Sequence, residues 1–239
     1  DGAVAIGYSA LTALTSGAKN TAIGYNAMLV NIEGDSNVAI GYAAMDAMVG
    51  ETGESNVGKW NIAIGVDAMG AVNANTHASS TTNSNIAIGD SALAGGALPS
   101  GAGTVFDGNI AIGHQAVFST AANAQTGTIG IGYKALNALT SGANNTAIGY
   151  NAGALLTTGN SNTILGYQAL DAANTAAGNT VIGESAMGTV SIDEAITGCV
   201  AIGRDALIGN SSNTTDIDGT IAIGNTALAA LTTGAGNIA

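Results

Sequence analysis

"NTAIGYNA" occupies Asn20 to Ala27 and recurs letter for letter at Asn145 to Ala152, 125 positions later. Near-copies stand beside it: "NVAIGYAA" from Asn37, "NIAIGVDA" from Asn61 and "NTILGYQA" from Asn162. A catalytic motif serves one pocket and is normally written once, so a motif repeated along a chain belongs to the architecture. Aligned on the glycine of "AIG", it occurs twelve times, from Gly7 to Gly224, at spacings of 17 to 24 residues. The residue before the glycine is Ile in eleven copies and Leu in one, and the third residue after it is Ala in all twelve.

Each copy begins with a short β-branched stretch such as Val38-Ala39-Ile40, ending at glycine, which is strand composition bounded by a turn residue. A unit of 17 residues leaves room for about two short segments and two turns. One coil of that size cannot bury its apolar side chains and also pair its backbone groups. Stacked coils can do both, spaced ~4.8 Å apart with identical side chains in ladders. The expected fold is therefore all-β, a parallel β-solenoid of about twelve coils extending roughly 55–60 Å. The predicted structural ladder is Ile6, Ile23, Ile40, Ile64, Ile88, Ile112, Ile131, Ile148, Leu165, Ile182, Ile202 and Ile223. These residues are expected to form the dry interior, with the repeated Ala allowing a second surface to approach closely. Asn stands four before the glycine in eight copies and is read as a coil corner, with the glycine as the other.

Composition removes several function classes. The chain has 46% hydrophobic but only 8% charged residues, and 36 glycines with one proline argue against a helical bundle. Four basic residues against sixteen acidic ones give a net charge of −12, so no basic stripe is available for nucleic acid or an anionic membrane. No apolar run reaches the roughly 20 residues of a membrane-spanning helix. Cys199 is the sole cysteine, which excludes an internal disulfide.

No nucleotide-binding loop, catalytic triad or metal cluster has usable spacing, so no enzyme and no cofactor is expected. Three consecutive coils are lengthened to 24 residues between 42 and 113. Their insertions should emerge from one side, and Trp60, His77 and Phe106 are the candidate ligand-contact residues there, with Pro99 nearby. The acidic residues collect in the connections and read as a solvated, self-repelling surface. Asp216 and Asp218, in "DIDG", are weak calcium candidates without EF-hand spacing. His114 reads as an exposed substituent, and Cys199 as a small buried or corner residue. Tyr follows the glycine in six coils, in two runs of three, which predicts two aromatic ladders at the coil edge. Sequons at Asn210 and Asn213 are weak glycosylation signals.

The phrasing "NTAIGYNAL…LTTG", clearest at Asn145–Asn160 and Asn20–Met28, resembles repeats of phage tail-fibre proteins. The shorter core at Asn37–Ala44 is similar to the head repeats of trimeric autotransporter adhesins, although the coils here are longer. The resemblance implies a left-handed parallel β-roll whose three chains associate side by side, on a virion tail fibre or a cell surface. The residues support association independently: Ile, Ala and Leu or Met ladders together exceed what one thin coil can bury, and an uncovered ladder seeks a partner. The expectation is a non-enzymatic extracellular fibre segment, homotrimeric or filamentous, that forms a rigid rod and displays loops. Adhesin binding of a host receptor or glycan through the long loops is the alternative. An ice-binding solenoid is disfavoured because "LTTG/LTSG" occurs in only four coils. Asn237-Ile238-Ala239 reads as the start of another "NIAIG", so residues 1–239 are expected to be one array within a longer fibre.

Overall fold

The structure, a computed structural model, describes residues 2–48, 58–72, 80–95, 105–119, 125–190, 195–209 and 216–239. Its strands are β1 (Val4–Ile6), β2 (Thr21–Ile23), β3 (Val38–Ile40), β4 (Ile62–Ile64), β5 (Ile86–Ile88), β6 (Phe106–Asp107) and β7 (Ile110–Ile112). They continue with β8 (Gln125–Thr126), β9 (Ile129–Ile131), β10 (Thr146–Ile148), β11 (Thr163–Leu165), β12 (Thr180–Ile182), β13 (Val200–Ile202) and β14 (Ile221–Ile223). Twelve of these are the repeated triplets, and no helix occurs among the described residues. The chain is an all-β parallel β-solenoid.

It divides into two compact units, Asp1–Gly127 and Thr128–Ala239. In the first, β1, β2, β3, β4, β5 and β7 pair in that order, and β6 pairs with β8 in a separate short sheet. In the second, β9 to β14 pair in chain order. Every pair is parallel and sets each residue against its counterpart, for example Thr21↔Val38, Ala22↔Ala39 and Ile23↔Ile40. Asn237–Ala239 lies along β14, with the Ile221 N–H on the Asn237 carbonyl at 2.7 Å and the Ile223 N–H on that of Ala239 at 2.8 Å.

The two units match coil for coil. Residues 8–24 and 133–149 are identical at 14 of 17 positions, differing at Ser9/Lys134, Thr12/Asn137 and Lys19/Asn144. The runs Tyr8-Tyr25-Tyr42 and Tyr133-Tyr150-Tyr167 occupy the same three coils of each unit.

The interior corrects the expected ladder. Alternation along a strand sends its first and third residues one way and its middle residue the other. Here the middle residue points inward: Ala22, Ala39, Ala63, Ala87, Ala111, Ala147 and Ala201 are fully buried. The Ile ladder exists in register but faces outward, with Ile6, Ile148, Leu165 and Ile223 exposed. A coil of 17 residues has a narrow cross-section, so its strand contributes Ala to the core. The bulk comes from the return segment, where Met28, Met45, Met69, Leu93, Leu136, Leu170, Met187 and Leu207 are fully buried.

The return segment explains how those side chains reach inside without a helix. Asn26 and Met28 adopt φ of 56° and 51°, and the same two positions are left-handed in coil after coil. Alternating handedness turns successive peptides in opposite directions along the stack. The Asn26 N–H therefore donates to the Tyr8 carbonyl of the preceding coil at 2.9 Å, and the Met28 N–H to the Ala44 carbonyl of the following coil at 3.0 Å. Left-handed backbone costs ~1–2 kcal/mol at a non-glycine residue, and the intercoil bonds and burial offset it.

The Asn four before the glycine is likewise not a left-handed corner. That conformation belongs to the residue just before it, as at Lys19, Ser36, Trp60, Asn144 and Ser161. Asn20, Asn37, Asn61, Asn85 and Asn109 are instead fully buried in one ladder. The Asn37 side-chain amide donates to Asn20 Oδ1 at 3.2 Å and to the Gly58 carbonyl at 2.6 Å, while its backbone N–H also reaches Asn20 Oδ1 at 3.0 Å. Asn61, Asn85 and Asn109 repeat the pattern, each onto the Asn before it. In the second unit the ladder runs through Asn145, Asn162 and Asn179 and then meets Cys199.

Candidate functional site

Three outward columns make up the strand face: the residue three before the glycine, the Ile or Leu directly before it, and the residue directly after it. In the last column the tyrosines stack. Ring centroids are 5.1 Å apart for Tyr8–Tyr25, 5.3 Å for Tyr25–Tyr42, 4.9 Å for Tyr133–Tyr150 and 5.3 Å for Tyr150–Tyr167. All six tyrosines remain exposed. The Lys134 ammonium lies 5.4 Å from the Tyr133 ring centre. Further along, the column turns polar: His114 Nδ1 stands 2.8 Å from Asp90 Oδ2, and the Arg204 Nε–H donates to Asn225 Oδ1 at 3.3 Å. In the first three coils of each unit the Ile or Leu column and the Tyr column thus form an aliphatic and aromatic strip, beside a column that mixes Val4, Val38 and Ile129 with Thr21, Thr146 and Thr163.

The acidic residues have definite structural work. Ala18 donates its N–H to Asp35 Oδ1 at 2.8 Å, Asn83 to Asp107 Oδ1 at 2.6 Å and Thr197 to Asp218 Oδ1 at 2.7 Å. Asn83 and Asn160 serve the same position as neutral acceptors for Lys59 and Ala143. Asp218 is thus an intercoil acceptor of this series, and Asp216 is exposed beside it at φ 52°. Among the described residues no group of three or more metal-ligating side chains converges.

Asp35 is held below its usual pKa, chiefly by the Ala18 N–H; burial opposes this, and the Lys59 and Lys19 ammonium groups add to the lowering. Asp46 is pushed up by burial and by the charge of Asp67, beside a cavity of about 390 Å³ lined by Gly70, Ala94 and Phe118. Burial raises Asp171 in the matching coil of the second unit, next to a smaller cavity of about 160 Å³ by Gly188.

Of the candidate contact residues, Trp60 is 61% exposed at the mouth of a cavity of about 290 Å³. Phe106 is a correction: it is fully buried in β6, paired with Gln125 of β8, and cannot meet a ligand. His77 and Pro99, with most of the three insertions, lie outside the described residues, as do Asn210 and Asn213. Cys199 is buried at a ladder position, where its N–H reaches Asn179 Oδ1 at 2.8 Å and its thiol reaches the Ile217 carbonyl at 3.1 Å. Burial is the main cause of its raised pKa, which keeps the thiol protonated and unreactive.

The recurrence of Asn is visible in the sequence, but its burial in one ladder is not. Nor does the sequence show that Lys19, Asp35, Lys59 and Trp60, from three coils, line the cavity at Trp60 together. Comparison with protein-family models, curated proteins and solved structures returned no match. The class defined by the geometry is that of a repeat protein, a β-solenoid with an apolar outer strip in each unit.

Proposed function

We propose that this chain is a non-enzymatic structural segment of an extracellular fibre, of the tail-fibre or surface-appendage kind, assembled as a homotrimer through its outward Ile and Tyr columns. The observation that carries the reading is the direction of the Ile ladder. In a solitary solenoid, evolution of an apolar outer column gains nothing, since burial there would be worth roughly 25 cal/mol per Å² only if a partner covered it. Side-by-side copies supply that cover without a mixed-sequence partner, because each copy presents the same columns at the same spacing. Long-range attraction between chains of charge −12 is absent, so contact falls to the Ile column and to the tyrosines in the first three coils of each unit.

Light scattering on the purified chain tests the assembly. The expected mass is three times the 23.0 kDa of one chain. Ile40→Asp, which puts a charge in the middle of the first unit's column, should convert the trimer to monomers while leaving the solenoid circular-dichroism spectrum intact. A monomeric wild-type chain would sink the trimer, and open-ended growth with concentration would point to a filament.

A further inference from the structure

The duplicated coil framework provides an internal control for one surface patch. Two residues before each buried ladder position lies the residue whose carbonyl accepts from the following coil, and one before it lies the left-handed residue. In the first unit these pairs read Ala18-Lys19, Asp35-Ser36 and Lys59-Trp60; in the matching coils of the second they read Ala143-Asn144, Asn160-Ser161 and Ala177-Gly178. The backbone is the same in both. Trp60 N–H donates to the Asp35 carbonyl at 3.1 Å where Gly178 N–H donates to that of Asn160 at 2.9 Å, and Ser36 matches Ser161 in the same way. Asn160 also performs the acceptor role of Asp35, at 3.0 Å against 2.8 Å. The fold therefore needs neither the carboxylate, nor the two lysines, nor the indole.

The chemistry gathered there is specific. Trp60 is the only Trp, and two of the chain's four basic residues flank it. Trp60 also holds φ 57°, a conformation that disfavours a bulky side chain and that the second unit gives to Gly178 at φ 68°. Lys59 Nζ is 3.3 Å from Asp35 Oδ2 and keeps donors to spare, since an ammonium carries three. Lys19 is exposed across the same cavity, which Ser36 and Ala18 complete. Its volume of about 290 Å³ sits at the lower edge of the ~300–1,000 Å³ typical of small-molecule sites, enough for one ring.

We propose that the Lys19–Asp35–Lys59–Trp60 patch binds a sugar residue bearing a single carboxylate, with the ring's apolar face on the Trp60 indole. Lys19 then meets the carboxylate, while Asp35 and Ser36 accept hydroxyl hydrogens. A net local charge of +1, from two lysines against one aspartate, matches one anionic group. A nucleotide polyphosphate would face Asp35 and the −12 background with too few cations. The site needs only the first unit's coils and does not depend on how copies assemble.

Because Trp60 is the sole indole, its emission reports the site directly. The 239-residue chain is titrated with methyl glucuronide and with the methyl glycoside of N-acetylneuraminic acid, with methyl glucoside as the neutral control. A saturable emission change at millimolar concentration is expected for at least one acidic sugar, and binding at least tenfold weaker for the neutral one. Lys19→Asn, the second unit's residue, should weaken the acidic sugar at least fivefold. Trp60→Gly should abolish its heat of binding in calorimetry while the melting temperature holds or rises. Absence of saturation with both acidic sugars, equal binding of the neutral one, unchanged affinity in Lys19→Asn, or saturation by ADP instead would each overturn the assignment.

Discussion

Asp1–Gly127 and Thr128–Ala239 are two renderings of one six-coil plan, and their differences separate what the fold requires from what it merely permits. Inside, the second unit exchanges volume between neighbouring coils. Where the first has Met28 and Ala39, the second has Gly153 and Ile164; a Cβ on Gly153 would lie 3.0 Å from Ile164 Cδ1 and 2.9 Å from Leu136 Cδ2. The isoleucine fills most of the space that the missing side chain leaves, so total volume changes little although each residue changes. Outside, the Lys19–Trp60 patch exists in one unit alone. The core is a constraint shared between coils, whereas that surface is free to specialise.

The largest effect that could break this comparison concerns the glycine that defines the coils. A Cβ on Gly41 would stand 2.2 Å from the Gly65 carbonyl oxygen, and one on Gly166 2.4 Å from that of Gly183, both at φ near 140°. Gly41→Ala and Gly166→Ala should each cost more than about 4 kcal/mol in chemical denaturation. Gly219→Ala, with nothing within 4 Å, should cost about 1 kcal/mol. Equal, small losses at all three would mean that the coils are not held at this spacing.

A middle-sized effect tests the exchange of volume. Ile164→Ala should lose about 2–4 kcal/mol by opening a cavity. Adding Gly153→Met to it restores the first unit's arrangement of Met28 and Ala39 and should recover more than half of that loss, whereas Gly153→Met alone should destabilise. Simple additivity of the two would show that the sites do not share space.

The smallest effect involves protonation. Burial first and Asp67 second raise the pKa of Asp46, so the folded chain holds that proton more tightly than the unfolded one. The stabilisation by the proton is complete below the ordinary value of 3.8 and disappears as pH rises through the raised folded value. Asp46→Asn should therefore raise the melting temperature at pH 7, by less than about 1 kcal/mol in stability, and make no difference near pH 3. Asp171→Asn should gain less, because Ser185 stands where the first unit has Asp67. Thermal melts across that range would show both trends.

Much of this architecture could be read from the repeat alone: the strand triplets, their parallel stacking and the tyrosine ladders. The direction of the Ile ladder could not be read from hydrophobicity, which favours placing the larger side chain inside. A usable signal was nevertheless present one turn away. The position after the glycine holds Asp90, His114, Glu184 and Arg204 as well as Tyr, and such residues mark a wet face. Ala in nine of twelve copies at the middle of the triplet, and in all twelve at three after the glycine, marks a tight interior instead. Trp60 and Phe106 stand one and three residues before a ladder Asn, and that offset decides their fate: the residue three before is buried at Phe106, Gln125, Ile196 and Ile217, whereas Trp60 holds the left-handed site one before and is exposed.

The buried Asn ladder measures the chain in coils and not in residues. Asn37 reaches Asn20 across 17 positions with a 3.2 Å bond, and Asn61 reaches Asn37 across 24 with one of 3.1 Å. Seven additional residues leave the joint unchanged. A fold with that property is a chassis for insertion: a peptide whose ends meet at a corner can be spliced between two rungs, and the ladder re-establishes register on the far side. Diversity can thus accumulate between rungs without being renegotiated with the core.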